Sequence, residues 1–151
     1  MSKSIKFIHP LQGEDRTLFC KVEHVLPYHP LIHPNFDLPE FLRHYWVVYD
    51  TGSSPNVSLP VHSLYHFIFE NVHDREALLP ALMKGETIAI LNPDKSIAIS
   101  AITFATAGDS CVVLYVATDV EIQNTGMATL LFSLVSVVMR CRLKKMKFGC
   151  I

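Results

Sequence analysis

Between Glu86 and Thr118 three strand-length apolar runs alternate with two turn signatures. Glu86 to Leu91 (ETIAIL) and Ser96 to Thr106 (SIAISAITFAT) flank Asn92-Pro93-Asp94-Lys95. Ala107-Gly108-Asp109 then leads into Ser110 to Thr118 (SCVVLYVAT). Branched apolar residues bounded by Gly, Pro, Asn and Asp are the pattern of strands joined by tight turns. Two successive hairpins are therefore predicted. The third run is nearly all apolar, which predicts a central strand covered on both faces. A covering layer follows directly, because Met127 to about Leu143 reads as a strongly apolar helix.

The rest of the chain is organised differently. Up to about residue 85 it is punctuated by proline, with His9-Pro10, His29-Pro30 and His33-Pro34 as repeated pairs. A residue before proline is pushed toward extended geometry, so Tyr28 to Asn35 reads as an extended connection. Asp37 has the position of a helix N-cap, with Glu40 completing a capping box and Pro39 in the tolerant first turn. That helix is predicted to reach about Val48, with Leu38, Phe41, Leu42, Tyr45 and Trp46 on its apolar face. Thr51 to Ser58 is a loop by composition. Leu64, Phe67, Ile68 and Val72 recur at helical spacing, and a short helix from Asp74 to Lys84 is predicted to end at Gly85 in a left-handed cap.

With 151 residues, half of them hydrophobic, the chain suits one domain of class α+β, residues 1–85 forming its N-terminal extended and helical part and 86–151 the rest. Thirteen basic and 14 acidic residues leave a net charge of −1. That balance lacks the footprint of a phosphate-backbone binder, so nucleic acid is not an expected partner. Nor is a membrane. Leu130 to Met139 falls short of the ~20 residues that span a bilayer, and Met1 to Pro10 has neither a long apolar run nor a cleavage site. Cys20, Cys111, Cys141 and Cys150 show no paired spacing, as expected of free thiols in a reducing compartment, cytoplasmic or nuclear.

Cys20, His24, His29 and His33 are spaced by four, five and four residues, but prolines intervene and no tight pair occurs, so no metal site is assigned. His44, His62, His66 and His73 fall on partly exposed helix faces. There is no G-x-S-x-G elbow and no Walker-type phosphate loop. The basic cluster Arg140, Arg142, Lys144, Lys145 and Lys147 lies where a helix ends, and there it complements the dipole.

Chemistry enters with Gln123-Asn124-Thr125-Gly126-Met127-Ala128, a Q-x-x-G-x-A segment between the third run and the apolar helix. A glycine at such a junction lets backbone approach a ligand closely. The free amides and dipole of the helix's first turn then favour an anion such as a pyrophosphate. Thr125 and Thr129 add hydroxyl donors.

Gln123, Gly126 and Ala128, placed after two hairpins and an apolar strand, make the stretch from Glu86 to Ile151 resemble the GNAT superfamily of acetyl-CoA-dependent N-acetyltransferases. Residues 36–85 correspond loosely to that family's first helices. The resemblance implies a mixed sheet: an antiparallel meander into a central strand, the cofactor-binding helix, then a parallel strand beginning at Lys147-Phe148-Gly149-Cys150-Ile151. It implies acetyl-CoA as co-substrate, held by Val116, Ala117, Thr118, Gln123, Asn124, Thr125, Gly126, Met127, Ala128 and Thr129. The acceptor would be an amine, either a small one or a protein lysine; the long Ala117–Ile122 loop resembles the histone-modifying branch. The amine would enter beside the N-terminal helices, near Tyr45, Trp46, Tyr65 and Phe67.

The sequence departs from the family in two ways. The strand position that carries a general base in the histone-modifying branch is Val112 here. That leaves Asp109, Glu121 and Tyr115 as the candidate catalytic groups. The family's last helix, last strands and thiolate-protonating tyrosine have no counterpart before Ile151. Either the sequence is a truncated product, or a second copy or another chain completes the sheet, and apolar surface is expected to be exposed. Two functions follow: an N-acyltransferase, or an inactive GNAT-like interaction module or truncated isoform.

Overall fold

Both hairpins form where the turn signatures lie. The computed structural model describes residues 17–22, 37–51, 55–68, 85–107 and 110–143. Within them the order is β1 (Thr17–Lys21), α1 (Leu38–Phe41), β2 (Trp46–Asp50), α2 (Pro55–Ile68), β3 (Glu86–Leu91), β4 (Ala98–Ala107), β5 (Ser110–Thr118), a 3₁₀ turn (Val120–Ile122) and α3 (Met127–Leu143). The architecture is α+β. Five strands form one sheet in the order β1-β2-β3-β4-β5, and each neighbouring pair is antiparallel.

Strand alternation divides the core in two. On one face Val47, Tyr49, Ile88, Ile90, Ile102 and Phe104 pack against Leu130, Leu131, Leu134 and Val138 of α3. On the other, Val48, Ala89, Leu91, Ala101 and Ala117 meet Val57, Val61, Leu64 and Tyr65 of α2. Each large aliphatic side chain removed from water contributes about 1.5–3 kcal/mol, so α3 is fixed chiefly by its buried leucines. Polar groups inside the sheet find partners. The Tyr65 and Thr103 hydroxyls lie 2.9 Å apart and those of Thr87 and Thr103 3.0 Å apart. Tyr49 donates to the Glu86 carboxylate.

Four expectations are corrected. The helix from Asp37 does not reach Val48. It is the single turn Leu38–Phe41, capped as expected by the Asp37 carboxylate accepting from the Glu40 amide at 3.1 Å. Trp46–Asp50 is a strand instead. Its branched and aromatic residues pair with β1 on one side and β3 on the other, and that pairing overrides the helical spacing of the apolar residues before it.

The Thr51–Ser58 segment is not all loop, since α2 begins at Pro55, where the fixed φ of proline suits a first helical residue. Gly85 is not in the left-handed region, which among the described glycines only Gly126 occupies. A Cβ on Gly85 would meet the Phe104 carbonyl oxygen at 2.9 Å, so close approach of β3 to β4 is what demands glycine. Finally, β5 is not covered on both faces. Among the described residues it pairs only with β4, and Val112, Val113 and Leu114 are 58%, 37% and 40% exposed.

The Tyr28–Asn35 connection, Val72, His73, the Asp74–Lys84 helix, Asp109, Lys144, Lys145, the parallel strand from Lys147 and the histidines of the Cys20–His33 cluster lie outside the described residues. Among those described, Cys111 is not joined in a disulfide. No helix of the described residues is long and apolar enough to cross a membrane.

Candidate functional site

Two bulges shape the strand that leads to the Q-x-x-G-x-A segment. In the β3–β4 ladder Ile90 opposes Ser100 while Leu91 opposes Ala98, which leaves Ile99 as an extra residue. In the β4–β5 ladder Thr103 opposes Tyr115 while Phe104 opposes Val113, which leaves Leu114 extra. Bulges bend a strand and re-aim its side chains. Between them, Ser100 to Thr103 pair in register with Thr118 to Tyr115. The end of β5 is thereby set against the start of α3.

The connecting loop is held by its own side chains. The Asp119 amide donates to the Ile99 carbonyl at 2.8 Å, and the Asp119 carboxylate accepts from the Glu121 amide at 3.0 Å, starting the 3₁₀ turn. The Gln123 side-chain amide reaches back to the Thr118 carbonyl at 3.1 Å. Thr125, nearly buried, donates its hydroxyl to the Ile122 carbonyl at 2.7 Å. On the strand side the Ser100 hydroxyl donates to the Ala117 carbonyl at 3.1 Å and lies 2.9 Å from the Thr118 hydroxyl.

Asn124 and Gly126 adopt positive φ, 62° and 93°. Asn tolerates the left-handed region through its short polar side chain. Gly126, further from the ideal left-handed well, takes its conformation at no steric cost. The Leu130 amide then bonds to the Gly126 carbonyl at 3.0 Å, the first bond of the α3 ladder. The amides of Met127, Ala128 and Thr129 precede any intrahelical acceptor. Among the described residues no side chain caps them.

These pieces enclose one groove of about 380 Å³, lined by Val116, Ala117, Thr118, Gln123, Asn124, Gly126, Met127, Ala128 and Thr129. Nine of the ten residues singled out from the sequence for cofactor binding thus share one concavity. Thr125 does not line it, because its hydroxyl is turned inward to brace the loop. Among the described residues none outside the set read from the sequence lines it.

Among the described residues the lining carries no acidic or basic side chain. Its polarity comes from backbone amides, the Thr118 and Thr129 hydroxyls and two carboxamides, with the positive end of the α3 dipole directed into it. That environment suits an anionic group on an otherwise neutral or apolar ligand.

Proton-transfer candidates sit elsewhere. Glu121 is exposed in the 3₁₀ turn and does not line the groove. The Tyr115 ring packs edge-on against Tyr65 at 5.0 Å between centroids, on the α2 side of the sheet. Partial burial raises the Tyr115 phenol above its ordinary value. Val112 lies toward the far end of β5, opposite Ala105.

The aromatic residues placed near an amine entrance do not converge. Tyr45 packs on the α3 side, and Tyr65 of α2 is fully buried against the opposite face of the sheet. Phe67 is 74% exposed. Trp46 donates its indole N–H to the Pro93 carbonyl at 3.1 Å, with Lys21 and Lys95 ammonium groups against its ring. Arg140, of the basic cluster, stands about 20 Å along α3 from Met127 at 1.5 Å per residue and does not line the groove. Among known proteins, no family and no curated sequence matches this chain.

Proposed function

We propose that the chain is an acyl-CoA-dependent N-acyltransferase of the GNAT type, taking acetyl-CoA as co-substrate and an amine, small or a protein lysine, as acceptor. One observation carries this reading: the Q-x-x-G-x-A segment and the end of β5 close a single groove onto uncapped helix amides. The Met127, Ala128 and Thr129 amides would hold the pyrophosphate, with Gly126 permitting the approach. Val116 to Thr118 would align the extended arm through the β5 edge that faces away from β4. The bound co-substrate supplies an activated thioester carbonyl. The protein orients that carbonyl and excludes competing geometries.

A second reading, a binding module without turnover, is favoured by the absence of any titratable side chain among the described lining residues and by the position of Val112. Two experiments separate the possibilities. Thermal-shift titration with acetyl-CoA should raise the midpoint in proportion to the logarithm of ligand concentration above the dissociation constant. Gly126→Val should abolish that rise, because a branched residue at this positive φ is strained and the loop must shift to relieve it. No stabilisation of the unaltered protein at millimolar acetyl-CoA overturns the binding reading. Thiol release with candidate amines then distinguishes an enzyme from a module.

A further inference from the structure

The outer face of α2 carries two imidazoles one turn apart. His62 and His66 are four residues apart in a helix that continues regularly to Ile68, and both side chains are exposed. Their ring centroids are 6.2 Å apart with planes 30° from parallel. Exposed Leu59 lies on the same side of the helix, 67% accessible. Neither His62 nor His66 belongs to the groove at the start of α3.

We propose that His62 and His66 form a bidentate site for a divalent transition ion of the Zn²⁺, Ni²⁺ or Cu²⁺ class. The i, i+4 spacing places both rings on one helical face, the same juxtaposition that lets two histidines of a helical H-E-x-x-H motif share one metal. Imidazole suits these borderline ions. A metal–nitrogen bond of about 2.0–2.1 Å puts two rings on one ion with centroids roughly 5–6 Å apart, and rotation of two exposed side chains reaches that from 6.2 Å. α2 contains no Lys, Arg, Asp or Glu. No cation on the helix repels the ion, and no carboxylate on it draws the ion toward hard, oxygen-only coordination. Among the described residues no three His, Cys, Asp or Glu side chains gather for a metal. The described residues therefore supply two ligands, and the remaining positions are open to water.

The test is a Zn²⁺ titration of the full chain followed by NMR of the histidine ring nitrogens, with His62 and His66 assigned through His62→Ala and His66→Ala. Because the readout is specific to each ring, zinc taken up by other histidines or by cysteines does not confuse it. The two rings should shift together along one binding curve. Loss of an outer-shell partner alone costs about 10–100-fold in affinity, so His62→Ala should weaken the response of His66 by at least about tenfold, and the converse variant should do the same to His62. Both residues are exposed, and an unchanged amide spectrum away from α2 verifies that each variant is folded. Rings that titrate independently, or a His66 response unaffected by His62→Ala, overturn the proposal.

Discussion

Gly85→Ala is the substitution for which the structure gives the sharpest expectation. Outside the left-handed region, replacing glycine by alanine ordinarily stabilises a protein by about 0.4–1 kcal/mol, through the unfolded chain. At Gly85 the new Cβ would stand 2.9 Å from the Phe104 carbonyl oxygen and 2.9 Å from Thr103 Cγ2, with Leu114 Cδ1 at 3.4 Å. The first neighbour is backbone of a strand paired on both sides. The second belongs to a threonine whose hydroxyl meets both Tyr65 and Thr87 and is not free to rotate. Neither can give way cheaply.

Overpacking of this kind costs about 1–3 kcal/mol, and the entropic gain leaves a net loss of about 1–2 kcal/mol. For a chain of this size each kcal/mol moves the midpoint by about 2–4 °C. Circular-dichroism melts should therefore show Gly85→Ala unfolding about 2–8 °C below the parent. An unchanged or higher midpoint would mean that β3 and β4 have slack at this point and that glycine is not needed for their approach.

Other consequences follow from the buried hydroxyls and from the β3–β4 turn. Thr103→Val keeps the side chain's shape but removes the hydroxyl that joins Tyr65 to Thr87; urea unfolding should show a loss of about 1–3 kcal/mol, and a loss under ~0.5 kcal/mol would contradict the network's role. Burial pushes the Tyr65 phenol well above its ordinary value. Its raised folded-state value means that the stabilisation is complete below the ordinary phenol value and is lost as pH rises through the elevated one. Subtracting the tyrosinate absorbance of Tyr65→Phe from that of the parent should place the Tyr65 signal at the unfolding transition; a signal near pH 10 in folded protein refutes it. The Ser96 hydroxyl and amide hold the exposed Asp94 carboxylate below its ordinary value. That contribution is present above the ordinary carboxylate range and fades as pH falls through the lowered value. Ser96→Ala should move the NMR-detected Asp94 titration upward, and no movement would remove Ser96 as the cause.

How far the sequence shows the fold depends on how local each determinant is. The strands β3 and β5 and the helix α3 are legible because turn residues and apolar runs adjacent in sequence define them. The groove is legible for the same reason, since its described lining comes from 116–118, 123, 124 and 126–129, all close in sequence. β2 is not legible. Trp46 to Asp50 follows a helix-compatible spacing, and only its pairing with Thr17–Lys21 and with Glu86–Leu91 makes it a strand. Gly85 shows the same limit: a glycine after a helical pattern reads as a cap, whereas its packing partner lies about twenty residues onward in β4. The exposure of β5 was hidden because an apolar strand reads alike at a sheet's centre and at its margin.

The central claim is that the uncapped amides at the start of α3 hold the pyrophosphate of acetyl-CoA. Its most direct measurement is an amide-resolved NMR titration of the chain with acetyl-CoA, using Gly126→Val as the control. Saturable shifts concentrated at Met127, Ala128 and Thr129 and at Val116 to Thr118, absent in the control, are the expected result. Shifts confined to other residues, or none at millimolar ligand, contradict the account.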